Sequence, residues 1–209
     1  MRTLLFSIGA LATIGGVAFS NAAMAQTVNY YGEASVFVRA DGGVLPADGT
    51  NAAHALQRFQ DAEAYDAAYF GAFAYSEAGQ FGWAGQFNSL AEAEAHALLR
   101  CDGVSGGTSC EIIARLLPEG YEPVEGITLG LGASRAWLRY LDQPPPKAFA
   151  LGSRSNYAAH FSGQPIEWAR ERALANCNTE WGLPEGRAYG GEPCVIIDEQ
   201  DSARETMNE

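Results

Sequence analysis

The chain of 209 residues carries 25 acidic against 13 basic side chains, a formal net charge of −12 at neutral pH. That surplus repels phosphate backbones and anionic lipid, which excludes nucleic acid and charged membrane surfaces as partners. Its four cysteines form no Cys-x-x-Cys pair and its three histidines stand at no zinc-finger spacing from them, so thioredoxin-type, c-type haem and zinc-finger chemistry are excluded as well.

The chain opens with Arg2, an apolar run over residues 4–18 and the triplet Ala23-Met24-Ala25. A positive start, an apolar stretch and a small-x-small site predict a secretory signal peptide over residues 1–25, with the mature protein beginning at Gln26. The run is shorter than the roughly 20 residues of a membrane helix, so no stable span is expected after cleavage. The expected location is periplasmic or extracellular, where an even number of cysteines points to disulfides. Residues 26–68 form an N-terminal extension. "ASVFVRA" reads as a strand, "DGGVLPADGTN" as turns, and "AAHALQRFQDAEAYDAAY" as a helix.

Two later stretches align without a gap at an offset of 76 residues: "AFAYSEAGQFGWAGQFNSLAEAEAHALLRC" and "AFALGSRSNYAAHFSGQPIEWARERALANC". Each is followed by a loop and then by a cysteine opening an apolar segment, "CEIIARLL" and "CVII", the second loop being eight residues longer. The pattern predicts two tandem strand-strand-helix-strand units with pseudo-repeat symmetry, unit 1 over residues 69–117 and unit 2 over residues 148–199. Residues 118–147 connect them through a bridging strand and a helix over 133–141, and residues 200–209 form an acidic, solvated tail. The fold class expected is α+β, the repeats and additions sharing one core.

Within unit 1, Phe81, Trp83 and Phe87 alternate with smaller residues and are expected on one strand face; Tyr157, Ala159 and Phe161 take the same phase in unit 2. Ser89 and Glu92 fit a capping box at the start of the first helix. Pro165 suits the first position of the second helix, with Glu167 near its positive end. Leu90, Ala93, Ala97, Leu98 and Cys101 fall on one helical face, matched by Ile166, Ala169, Ala173, Leu174 and Cys177. Each first cysteine therefore ends a buried stripe beside the cysteine that opens the next strand. Of three possible pairings, the shared pattern favours Cys101 with Cys110 and Cys177 with Cys194.

The run "AFAYSEAGQFGWAGQFNSLAEAEAHALLRC", with a second cysteine shortly after it, resembles the exported bacterial domain of unknown function 4189. The resemblance covers residues 72–116 well and residues 148–197 more loosely, which makes the chain two tandem divergent copies of that domain. Unit 2 departs from it in having Ala158-Ala159 where unit 1 has Gly82-Trp83, and neither unit has the further cysteine that often follows the last strand in that family. It implies secretion, local bridging and a small α+β unit; it implies no activity, since that family has no established catalytic site.

No catalytic, cofactor or metal site is expected. His96 reads as a helix-surface residue, His54 has no partner by spacing, and no nucleophile elbow occurs. His160 stands in the strand phase opposite Tyr157 and Phe161, open to solvent or to a second layer. The possible ligand face comprises Trp83, Trp168, Trp181, His160 and Arg187, the last two tryptophan and arginine positions, 181 and 187, lying inside the longer loop. The leading functional reading is a non-catalytic binding or interaction module of the cell envelope, with an envelope protein or a glycan as partner. The alternative is an exported hydrolase with its site between the two units and His160 as a participant.

Overall fold

The structure, a computed structural model, describes residues 27–32, 34–61, 69–105, 109–152, 156–161, 163–179 and 193–201. The expected signal peptide, Trp181, Arg187 and tail residues 202–209 lie outside them. The described residues form a mixed α+β fold with helices on both sides of two antiparallel sheets.

In chain order the elements are β1 (Val28–Asn29), β2 (Ser35–Arg39), α1 (Asn51–Asp61), β3 (Gly71–Tyr75), β4 (Phe81–Ala84), α2 (Leu90–Ser105) and β5 (Glu111–Pro118). They continue with β6 (Ile127–Thr128), α3 (Leu131–Leu141), β7 (Lys147–Leu151), β8 (Tyr157–Phe161), α4 (Ile166–Thr179) and β9 (Val195–Gln200). The first sheet runs β2-β5-β3-β4, the second β8-β7-β9, and β1 pairs with β6 in a two-residue parallel ribbon. Both expected units are therefore strand-strand-helix-strand.

Their registers correspond. Phe73 faces Trp83 across β3–β4, and Phe149 faces Ala159 across β7–β8. The pairing of β3 with β5 shifts between Phe73 and Ala74, and that of β7 with β9 between Phe149 and Ala150. The hairpins close alike, Ser76 N–H donating to Gln80 O and Gly152 N–H to Asn156 O, both at 2.9 Å. Each helix then ends in a disulfide, Cys101–Cys110 and Cys177–Cys194, with Cα atoms 6.1 Å apart in both. Asp102 Oδ1 accepts from Cys110 N–H and Asn178 Oδ1 from Cys194 N–H, so the same acceptor position fixes both strand starts.

Small side chains set the helix-to-sheet distance on one face. Ala72, Ala74 and Ala84 pack on Ala93, Ala97 and Cys101 of α2, and Ala148, Ala150 and Ala158 pack on Ala169, Ala173 and Cys177 of α4. The opposite faces are aromatic and covered by helices from the flanking segments. Phe73 and Ile113 meet Ala55 and Phe59 of α1; Phe149 and Leu151 meet Ala133, Trp137 and Tyr140 of α3. The extension and the connector thus supply the outer layer of each unit. Lys147, the single lysine, is buried, its ammonium donating to the carbonyls of Tyr140 and Leu141 at the end of α3.

Two local expectations need correction. Strand β4 ends at Ala84, so Phe87 does not share a face with Phe81 and Trp83; it is buried in the α2-side cluster, its ring 4.9 Å from His96. Pro165 caps α4 instead of opening it, its carbonyl accepting from Trp168 and Ala169 N–H while the helix begins at Ile166. At α2 the Ser89 half of the capping box forms, Glu92 N–H donating to Ser89 Oγ, and the Ser89 hydroxyl donates to the Glu92 carboxylate.

Candidate functional site

Strand β8 lies at an edge of its sheet. Because Gly152 and Asn156 form a hydrogen-bonded pair, the alternation of an antiparallel ladder turns the N–H and C=O of Tyr157, Ala159 and Phe161 away from β7. Tyr157, Ala158, Ala159 and Phe161 line a cavity of about 720 Å³. Ala136, Arg139, Asp142 and Gln143 wall it from the α3 side, Asn176 and Thr179 from α4, and β8 forms its floor. Tyr157 is seated against the first turn of α3, where a Cβ on Gly132 would come 3.0 Å from its ring. Phe161 at the other end is 44% exposed.

The corresponding edge in unit 1 is built differently. Gly82 lies so close to α2 that a Cβ there would meet Cys101 N at 2.5 Å and Ala97 O at 2.6 Å. Arg100 reaches across and donates from Nη1 to the outward carbonyl of Trp83 at 2.7 Å. The Trp83 ring covers the strand on the other face, 6.3 Å from Phe59. At the matching positions unit 2 has Ala158, Ala159 and Asn176. The added methyl of Ala158 meets the α4 side, Ala159 packs against the α3 cluster, and nothing among the described residues bonds the Ala159 carbonyl as Arg100 bonds that of Trp83. All three of these unit 2 residues line the cavity.

The expected ligand-face residues do not gather at one place. Trp83 is 47% exposed on the α1 side of the first sheet, beside Phe59. Trp168, 38% exposed on α4, meets His160 edge-on at 4.5 Å, and the Arg172 guanidinium lies 5.7 Å from its ring. Burial, and secondarily the charge of Arg172, hold the His160 imidazole below its ordinary pKa, and its buried Nε2 has no hydrogen-bond partner among the described residues. Trp168 and His160 are thus brought together, Trp83 belongs to the other unit, and Trp181 and Arg187 lie outside the described residues. Sequence reasoning missed Arg139, Asp142 and Asn176. The Arg100/Asn176 mismatch in the aligned stretches is the signal that could have found the last of them.

A second cavity, about 350 Å³, lies between the units and is lined in part by Asn88, Ser89, Glu92, Thr128 and Ile196. Its polar groups are engaged in holding the units together. Asn88 Nδ2 donates to Gly152 O at 2.7 Å, its Oδ1 accepts from Gly130 N–H, and its carbonyl accepts from Thr128 Oγ1. Ser89 and Glu92 hold each other in the helix cap, and His160 is not in the lining. Among the described residues no group of three or more His, Cys, Asp or Glu side chains is placed to hold a metal ion, and no helix is long and apolar enough to cross a membrane. Comparison of the chain with protein-family models, with curated proteins and with solved structures finds no match.

Proposed function

We propose that the protein is an exported, disulfide-stapled binding module of the cell envelope, non-catalytic, with the groove along β8 as its ligand site. One observation carries the reading: a strand edge that unit 1 closes with Gly82, Trp83 and Arg100 is left open in unit 2, next to a cavity of about 720 Å³. The two disulfides and the acidic composition are compatible with export, and the resemblance to domain 4189 supports it. A hydrolytic site between the units would require a base there, but His160 packs against Trp168 and the Ser89–Glu92 pair caps α2.

Affinity capture from the native envelope fraction tests the reading. The exported chain is expected to retain an envelope protein or glycan that the double variant Ala159→Trp/Asn176→Arg, which copies the closed edge of unit 1, releases. Equal retention by both chains, with both disulfides intact, would move the ligand site away from β8. Export is checked separately by N-terminal sequencing of the periplasmic or secreted form, expected to begin at Gln26.

A further inference from the structure

We propose that the contact of His160 with Trp168 and Arg172 is an acid-sensitive latch, which sets how closely α4 stands on β8 and so the shape of the cavity that both line. Its control of ligand retention rests on the β8 groove being the ligand site. His160 lies in β8 between Ala159 and Phe161, two residues of the cavity lining, and on the sheet face turned to α4. Trp168, Arg172 and Asn176 follow one another at intervals of four residues, which places them along one face of α4. The imidazole meets the Trp168 indole edge-on at 4.5 Å, the Arg172 guanidinium lies 5.7 Å from the same ring, and Asn176 lines the cavity. A displacement of α4 at the latch is therefore carried along the helix to Asn176 and Thr179 in the cavity wall.

The latch is set for the neutral imidazole. Burial, and after it the charge of Arg172, favour that form. Nε2 is buried with no hydrogen-bond partner among the described residues, so protonation leaves a charged donor without an acceptor there. No carboxylate among the described residues offsets Arg172. Glu167 and Glu171 of α4 do not weigh on the imidazole, and Glu199 of β9 is held by Arg170 through both its oxygens. From β7 the residue facing His160 is Ala148, while the Lys147 ammonium is turned to the end of α3. Protonation thus brings a second positive charge to the Trp168 ring beside that of Arg172, and separation of α4 from β8 relieves both penalties by admitting water. The contact is closed above the ordinary histidine value of 6.5 and opens as the pH falls through the lower folded value. Unit 1 has Ala84, Glu92 and His96 at the positions of His160, Trp168 and Arg172, so the device belongs to unit 2 alone.

The full exported chain is titrated from about pH 8 to about pH 5, the range in which histidine changes charge, and followed by NMR. The His160 imidazole, the Trp168 indole N–H and the Ala158, Asn176 and Thr179 amides are expected to move on one curve, with a midpoint below 6.5. His160→Phe keeps a ring against Trp168 but takes up no proton, and should abolish that curve. Arg172→Gln removes the repelling charge and should raise the midpoint, and this variant serves where His160→Phe does not fold. Envelope material captured at about pH 8 should fall about fivefold at about pH 5 on the wild-type chain and remain on His160→Phe. Cavity amides that ignore the imidazole, or that move equally in His160→Phe, would overturn the latch; so would a midpoint that Arg172→Gln leaves in place. Acid loss of the captured material that is equal in His160→Phe would refute the latch's control of the ligand. If instead Ala159→Trp/Asn176→Arg retains that material, the ligand site lies elsewhere, and the amide titration still decides the latch.

Discussion

Unit 1 and unit 2 share the parts that hold a helix on a hairpin and differ in what covers the hairpin's free edge. The hairpin closure, the register shift after the central phenylalanine, the alanine layer and the disulfide occur in both. Even an ion pair recurs with its charges exchanged: Glu94 of α2 meets Arg115 of β5, whereas Arg170 of α4 meets Glu199 of β9. Partly exposed pairs of this kind contribute about 0–1 kcal/mol, so either polarity serves. Backbone register and small-residue packing tolerate no such exchange. The lesson is that the geometry is held by the close contacts, while the residues along the edge differ, covering the strand in one unit and lining a cavity in the other.

The severest test of that comparison is its shared core. Phe73 and Phe149 are both fully buried against an outer helix, so Phe73→Ala and Phe149→Ala should each destabilise by about 3–5 kcal/mol in urea unfolding. Tolerance of one substitution would show that its outer layer contributes little. Next come the staples, with sequence separations of 9 and 17. Replacing either cysteine pair by serine should cost about 3 kcal/mol, slightly more for Cys177–Cys194 because its loop is longer.

The edge itself gives an asymmetric prediction. Gly82→Ala drives a methyl into the backbone of α2 and should destabilise by about 1–3 kcal/mol, whereas Ala158→Gly should cost less than about 1 kcal/mol. Similar values for both would mean that the two helices stand equally far from their hairpins. Asn88→Ala leaves Gly152 O and Gly130 N–H without that partner, for an expected loss of about 1–2 kcal/mol. Hydrogen exchange should show the added opening at the β7–β8 hairpin and at the start of α3.

The smallest effect concerns acid. His160 is held below its ordinary pKa of 6.5, so its neutral form is favoured in the folded chain. Its contribution is present above 6.5 and is lost as the pH falls through the folded value. Unit 1 has Ala84 at the matching position. Acidification should therefore loosen the β8–α4 contact selectively, and His160→Ala should flatten that response. An unchanged pH profile in the variant would assign the acid sensitivity elsewhere.

Much of each unit was legible in the sequence because the signals were local. Alanines and a cysteine at helical spacing define one face wherever the helix lies, and a cysteine at its end can reach only what the next strand brings beside it. The hairpin register followed in the same way from equal turn lengths. The outer layers were not legible: α1 and α3 read as an extension and a connector, because nothing in "AAHALQRFQD" or "RAWLRYL" says which sheet face will be vacant. Trp83 was expected beside Phe87 and turned out on the opposite face from it, since the strand stops at Ala84.

The sequence by itself determined the helix stripes, the local pairing of Cys101 with Cys110 and Cys177 with Cys194, and the order of elements in each unit, all of which depend on neighbours within a few turns of chain. The groove was decided by tertiary structure. Its walls come from α3, β8 and α4, and where Gly82 lets α2 approach its hairpin in unit 1, unit 2 has Ala158 in the lining. A difference of one methyl group is plain in the sequence, but its consequence appears only where two elements distant in the chain meet.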